Sequence, residues 1–292
     1  MDCVTPIAPV RAGAIGVCAL LATGLLAGCS PAPAPLPSGV SVSIQQNRDD
    51  YGPRRLEIVV SNDGAEAITV TRASFDSAGF VAPAAWNRPA TIEPGTTTNL
   101  RVQLAAADCA GKPGSTGASD SSVALDFTLP DGSAGSATVT PSDPFDAIAT
   151  VTAQDCAADA VGTIVDVAFA EKLRTASRDG ELTALLDLTF TPTGSAGSVT
   201  VHSVSDTILV RSPSSAGWSV EKTLTAASAP LTVTLDFIPN NCRLHTVAED
   251  KRGTFFPLAV TLDARELTYP VAASTALKKQ VYTYIADYCN WD

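Results

Sequence analysis

Cys109 and Cys156 stand 47 positions apart, and so do Cys242 and Cys289. Few sequence features restrict a fold as tightly as two equal cysteine intervals. A shift of about 133 residues superimposes them, and other landmarks move with them. Trp86 precedes Cys109 by 23 residues and Trp218 precedes Cys242 by 24. LRVQLAAADC (100–109) falls on LTVTLDFIPNNC (231–242), and VALDFTL (123–129) on PLAVTLD (257–263). AITVTRASF (67–75) falls on SVTVHSVSD (198–206), and AIATVTAQDC (147–156) on VYTYIADYC (281–289). One unit is written twice, with disulfides Cys109–Cys156 and Cys242–Cys289. Each bridge closes a loop of about 50 residues, worth about 4 kcal/mol in the chain-entropy model. That is a large share of the stability of a small domain.

Inside each unit the pattern is that of short strands. VSVSIQQ (40–46) alternates apolar and polar residues, and RRLEIVVSNDGAEAITVTRASF (54–75) reads as a hairpin around Asn62-Asp63-Gly64. Glu93-Pro94-Gly95 and Leu129-Pro130-Asp131-Gly132 are turns in which proline presets φ and glycine accepts the left-handed region. LTALLDLTF (182–190) and SVTVHSVSDTILV (198–210) flank a loop at 193–197. About seven strands per unit, separated by turn residues, predict an all-β chain of two tandem antiparallel sandwiches. Before the last cysteine, Leu277, Val281, Tyr284, Ile285 and Tyr288 share one helical face, with Ser274 or Thr275 as its cap, which predicts a short helix ending at Cys289. The matching segment before Cys156 is open. Asp143-Pro144 starts a helix that carries Phe145, Ile148 and Thr152, but AIATVTA also suits a strand.

The amino terminus is of another kind. AGAIGVCALLATGLLAG (12–28) is an apolar, nearly uncharged stretch, short for a membrane span and suited to a signal peptide, with Arg11 before it. Leu26-Ala27-Gly28-Cys29 then resembles the lipobox of bacterial lipoproteins. The resemblance implies removal of residues 1–28 and acylation of Cys29, palmitate included, at a cell membrane. SPAPAPLPSG (30–39) reads as a stiff tether. The organisation expected is a leader over 1–28, a tether over 29–39, one sandwich over 40–156 and a second over 157–292. Tandem disulfide-bonded sandwiches behind such an anchor resemble the immunoglobulin-like and fibronectin-like modules of bacterial surface lipoproteins. In both units, though, the tryptophan precedes both cysteines instead of lying between them.

Charge and chemistry then narrow the function. With 30 acidic and 19 basic residues the formal charge is −11, and no basic cluster suggests nucleic acid or anionic lipid as a partner. Only His202 and His245 are present, with Asp206, Asp236 and Asp250 as acids for a triad, but no G-x-S-x-G elbow exists. Cys242-Arg243-Leu244-His245 is the one close Cys/His pair, and its cysteine serves a disulfide better than zinc. The acids at Asp49-Asp50, Asp63, Asp76, Asp143 and Asp146 match no calcium loop and read as exposed, solubilising carboxylates. No catalytic residue, metal ligand or cofactor is expected. Candidate partner contacts are the repeated Trp86 and Trp218 and the terminal Tyr284, Tyr288 and Trp291. The function expected is that of a lipid-anchored, extracytoplasmic, non-enzymatic binding or scaffold protein whose partner is another envelope protein. The alternatives are a small-ligand or glycan binder using a concave junction around residues 150–165, and, third, an envelope hydrolase.

Overall fold

The computed structural model describes residues 35–110, 117–178, 180–248, 250 and 252–291. The leader, Cys29 and most of the tether lie outside the described residues. The first sandwich contains β1 (Val40–Gln45), β2 (Arg55–Asn62), β3 (Ile68–Ser77), β4 (Ala84–Trp86), β5 (Ala90–Ile92), β6 (Thr96–Gln103), β7 (Ser121–Thr128) and β8 (Ala134–Val139). Its sheets run β1-β2-β6 and β4-β3-β7-β8, with β5 also paired to β3. The second contains β9 (Val165–Phe169), β10 (Arg174–Arg178), β11 (Glu181–Pro192), β12 (Ser198–Val204), β13 (Val210–Arg211), β14 (Trp218–Thr225), β15 (Leu231–Pro239), β16 (Phe255–Leu262) and β17 (Arg265–Ala272). Its sheets run β10-β11-β15-β13, with β9 on β11, and β14-β12-β16-β17.

All these pairings are antiparallel, and the sheet orders β4-β3-β7-β8 and β14-β12-β16-β17 correspond strand for strand. Trp86 faces Ala73 of β3 as Trp218 faces Val204 of β12. The alternation read in the sequence does the work. In β7 and in β16 every second residue is buried, and these inner faces meet those of the opposing sheet. Two cores result. One holds Ile44, Ile58, Phe75, Leu100 and Leu125, the other Leu186, Phe190, Phe237, Phe256 and Leu258. Both disulfides, Cys109–Cys156 and Cys242–Cys289, are formed, each tying the segment after the β6 or β15 strand to the helix that follows the last strand of its sandwich.

Those helices are α1 (Ala147–Gly162) and α3 (Thr275–Cys289); a short α2 (Leu244–Ala248) lies between β15 and β16. In α3 the Ser274 hydroxyl accepts from the Leu277 N–H at 3.1 Å, while Leu277, Val281, Tyr284 and Ile285 enter the core, and the helix ends at Cys289 as its periodicity predicts. The segment left open before Cys156 is helical, but it starts later than Asp143-Pro144. The Asp143 carboxylate accepts from the N–H groups of Ala147 and Ile148 at 2.8 and 3.0 Å, capping the helix from outside it. Asp146 occupies the left-handed region at φ 50°. Phe145 is thereby thrown off the helical face and stands 70% exposed.

α1 also runs on past Cys156. Ala147, Ile148 and Val151 pack in the first core, and Ala157 and Val161 in the second, so residues 156 and 157 lie in mid-helix. The turn at Asn62-Asp63-Gly64 differs from the hairpin expected, because β2 and β3 belong to opposite sheets. Val60 of one sheet and Ile68 of the other both point into the core between them. The buried Asn62 amide fixes the corner by donating to the carbonyls of Glu66 and Ile92, both at 2.9 Å. At Leu129-Pro130-Asp131-Gly132 the expected turn closes β7 onto β8, with Gly132 at φ 83°.

Candidate binding cleft

The end of β1 and the loop after it form one wall of a cleft of about 870 Å³ between the two sandwiches. From the first sandwich come Gln45, Gln46, Asn47, Arg48 and Tyr51, with Phe145 and Gln154 from the start and middle of the α1 region. The second contributes the loop Asp206–Ile208, then Arg252, Phe255 and Pro257, and Thr268–Pro270 of β17. A recess of about 220 Å³ shares Gln46, Tyr51, Gln154, Arg252, Phe255 and Pro270 with it and continues past the Arg54–Asp155 ion pair at 2.6 Å. The two cavities therefore adjoin along these shared residues. Arg252 bridges them, its guanidinium carbon 3.7 Å from the Tyr51 ring centroid.

Behind the β1 wall lies a buried charge cluster. Glu57 of β2 sits between its cross-strand partners Gln45 and Arg101, on the sheet face turned away from the core. The loop 47–51 folds over that face, so Glu57 and Asp50 are both fully buried. Glu57 accepts from Arg101 Nε at 2.8 Å, from Asn99 Nδ2 at 2.6 Å, from Gln45 Nε2 at 3.3 Å and from Asn47 Nδ2. Asp50 Oδ2 accepts from the Asn47 N–H at 3.1 Å, while Oδ1 faces Arg55 Nε and Arg101 Nε at 3.4 and 3.5 Å without a hydrogen bond. The reading of Asp50 as a solvated surface carboxylate is thus corrected; the covering loop removes it from water.

Burial, and next the neighbouring Glu57 charge, raise the Asp50 pKa above 3.8, outweighing the two arginines. The native state consequently holds the Asp50 proton more tightly than the unfolded chain. This residue's contribution to stability is complete below pH 3.8 and is lost as pH rises through its elevated native value. A carboxyl-carbon NMR titration of Asp50 is expected to give a midpoint above 3.8, and a midpoint at or below it would refute the account of the cluster.

The cluster fixes what the cleft wall presents. A carboxylate only accepts, so Gln45 and Asn47 must turn their amino groups inward to Glu57. Gln46 Nε2 likewise donates to the Arg55 carbonyl at 3.1 Å. The carbonyl oxygens of Gln45 and Gln46 are left as acceptors. Across the cleft, Tyr269 is 5% exposed, and its hydroxyl has no hydrogen bond to the described residues. Burial holds that phenol well above its usual pKa, keeping it a proton donor. The acids of the cleft are already engaged: Asp206 accepts from the Ser212 N–H at 2.7 Å, and Asp250 from the Gly253 N–H at 2.9 and 2.8 Å.

The residues singled out in the sequence lie elsewhere. Trp86 and Trp218 are buried core side chains, because strand pairing turns both inward; Trp218 Nε1 donates to the Asp236 carbonyl at 2.9 Å. Tyr284 is buried too, its hydroxyl 3.0 Å from the carbonyls of Leu182 and Phe237. Tyr288, bonded to Glu181, and Trp291 are half-buried against the second core. His202 lies in a row across three strands, 3.1 Å from Glu221 and 2.8 Å from Thr261, outside the cleft. His245 is exposed on α2. Asp206 and Asp250 line the cleft without either histidine, and Asp236 binds Arg178 at 2.6 Å. The cleft itself touches the expected junction at Gln154, Asp155 and Ala158. Its decisive side chains, Phe145 and Ile208, gave no sequence signal beyond being large and apolar beside turn residues.

No known family model and no curated protein sequence matches this chain. Among solved structures, red sea bream transglutaminase is similar at 12% identity and a TM-score of 0.24, covering 82% of this chain and 32% of that one. An exo-chitosanase, CsxA, of Amycolatopsis orientalis is similar at 13% identity and a TM-score of 0.20, covering 79% and 26%. The calcium-binding domain CBD12 of CALX1.1 aligns at 10% identity and a TM-score of 0.19, covering 78% and 81%. The chain spans about a third or less of the two enzymes, and likenesses this weak carry no functional argument.

Proposed function

We propose that this protein is a non-enzymatic binding protein of the bacterial cell envelope, lipid-anchored through Cys29, and that it binds in the cleft between its sandwiches. One observation carries the reading. Phe145 and Ile208, 70% and 59% exposed, stand on the walls of the same cleft although they come from different sandwiches. Large apolar side chains held in water around a concave, polar-lined groove favour an occupant. The two histidines lie outside the cleft and its acids are committed to backbone amides, which supports binding in preference to hydrolysis.

A photo-crosslinking amino acid placed at position 145 or 208 in producing cells tests the site. Adducts are expected from both positions and not from position 81, which is equally exposed but remote from the cleft. Equal adducts at all three would overturn the cleft reading. The anchor is tested separately: Cys29→Ser is expected to move the protein from the membrane pellet to the soluble fraction, since acyl chains supply about 0.8 kcal/mol per buried methylene. Retention of the variant in membranes would refute lipid anchoring.

A further inference from the structure

We propose that loop 47–51 is a proton-operated latch between the two sandwiches: with a proton on Asp50 it lies closed and holds Tyr51 against Arg252, and loss of that proton loosens it. The inference concerns one wall of the cleft and stands apart from what the cleft holds. Position is its first ground. The loop that covers the outer face of β1-β2-β6 also lines the cleft, through Asn47, Arg48 and Tyr51. Tyr51 follows Asp50 directly, and its ring carries the Arg252 guanidinium of the other sandwich at 3.7 Å. Whatever moves Asp50 therefore moves a contact that joins the two sandwiches.

The second ground is how unequally the two buried carboxylates are served. Glu57 takes four donors, Arg101 Nε at 2.8 Å among them. The Asp50 carboxylate accepts one hydrogen bond among the described residues, from the Asn47 N–H of its own loop, and its Oδ1 is buried without any. Of the charged groups facing it, Glu57 of β2 repels it. Arg55 of β2 and Arg101 of β6 attract it from 3.4 and 3.5 Å. Both arginines are partly exposed, and Arg101 is already bound to Glu57. β1 sets the neutral Gln45 opposite Glu57. In the loop itself, Asp49 acts on Arg101 and Arg48 lines the cleft, while the nearby Arg54 pairs with Asp155. An ionised Asp50 is thus held out of water with incomplete compensation, and lifting the loop rehydrates it. A protonated Asp50 has no charge to rehydrate. The raised Asp50 pKa has the same sign. Closure takes up a proton, so acid favours the closed loop and rising pH opens it.

Hydrogen–deuterium exchange of the full-length protein in detergent tests the latch, read by mass spectrometry and corrected for the intrinsic effect of pH on exchange. Peptides covering 47–51 and β7 are followed from about pH 4 to about pH 8, which spans the ionisation of a raised carboxyl. Opening is local, so 47–51 is expected to be less protected than β7 at every pH. Its protection is expected to fall at least about threefold as pH rises, with a midpoint above 3.8. Asp50→Asn is neutral throughout, and its loop is expected to keep the acid-state protection over the whole range. R252A is expected to lower protection at the acid end and to change nothing at the other, where the contact has already loosened. Protection of 47–51 that is flat with pH, or that rises with it, overturns the switch on the natural protein alone. Protection equal to that of β7 does the same, because the loop would then open only with the whole fold. A natural pH response that persists in D50N overturns Asp50 as the seat of the proton. Equal losses from R252A at both ends overturn the latch. Crosslinking at positions 145 and 208 bears on none of these outcomes, so cleft binding and the latch fail separately.

Discussion

Replacing Glu57 with alanine is expected to destabilise the first sandwich by about 3–5 kcal/mol, the usual loss when one partner of a buried ion pair is deleted. Four donors depend on this carboxylate: Arg101, Asn99, Gln45 and Asn47. With it gone, each must find water inside a site that the 47–51 loop has closed. Arg101 is partly exposed and recovers some hydration, which places the loss toward the low end of that range. Glu57→Gln keeps one acceptor and is expected to lose less. Urea unfolding followed by fluorescence at two wavelengths separates the cores, and a loss under about 1 kcal/mol would show the cluster to be solvated. The same substitution frees the Gln45 and Asn47 amides to rotate, so cleft binding should weaken even where the fold survives.

Removing the first disulfide with Cys109→Ser and Cys156→Ser is expected to cost about 4 kcal/mol, from the loop of 47 residues it closes. The Cys242→Ser, Cys289→Ser pair closes a loop of the same length and should cost a similar amount. The two losses are expected to differ in their reach. Cys289 is the last residue of α3, whose buried face serves the second core alone, so that damage stays in the second unfolding transition. Cys156 sits within α1, with first-core residues before it and second-core residues after it. Its loss should therefore lower both transitions in calorimetry. A first transition that falls alone would mean the helix does not couple the cores.

What the sequence disclosed was whatever is periodic or local. Equal cysteine intervals exposed both bridges, alternation exposed the strands, and Ser274 before an amphipathic run exposed α3. The corner at Asn62-Asp63-Gly64 was misread because turn residues tell where a chain reverses, not which sheet it joins. Glu57 stands between apolar neighbours in RRLEIVV and lies on the outward face of its sheet, opposite Gln45 and Arg101. Nothing in that pattern records that residues 47–51 fold over the same face and exclude water. The tryptophans recur at matching positions, as read, but recurrence reflects a shared packing slot. The cleft was least legible, because Gln46, Phe145, Ile208 and Tyr269 meet only once both sandwiches and α1 are in place.

The continuity of α1 means that neither sandwich is a movable part. A cut between residues 156 and 157, where the repeat would be divided on paper, strips Ala157 and Val161 from the second core and strands the first disulfide at a raw helix end. Gene shuffling that trades whole units between chains would therefore inherit half a helix with each piece. Although the sequence is written twice, the two halves share one helix, so neither can be cut away without opening the core of the other.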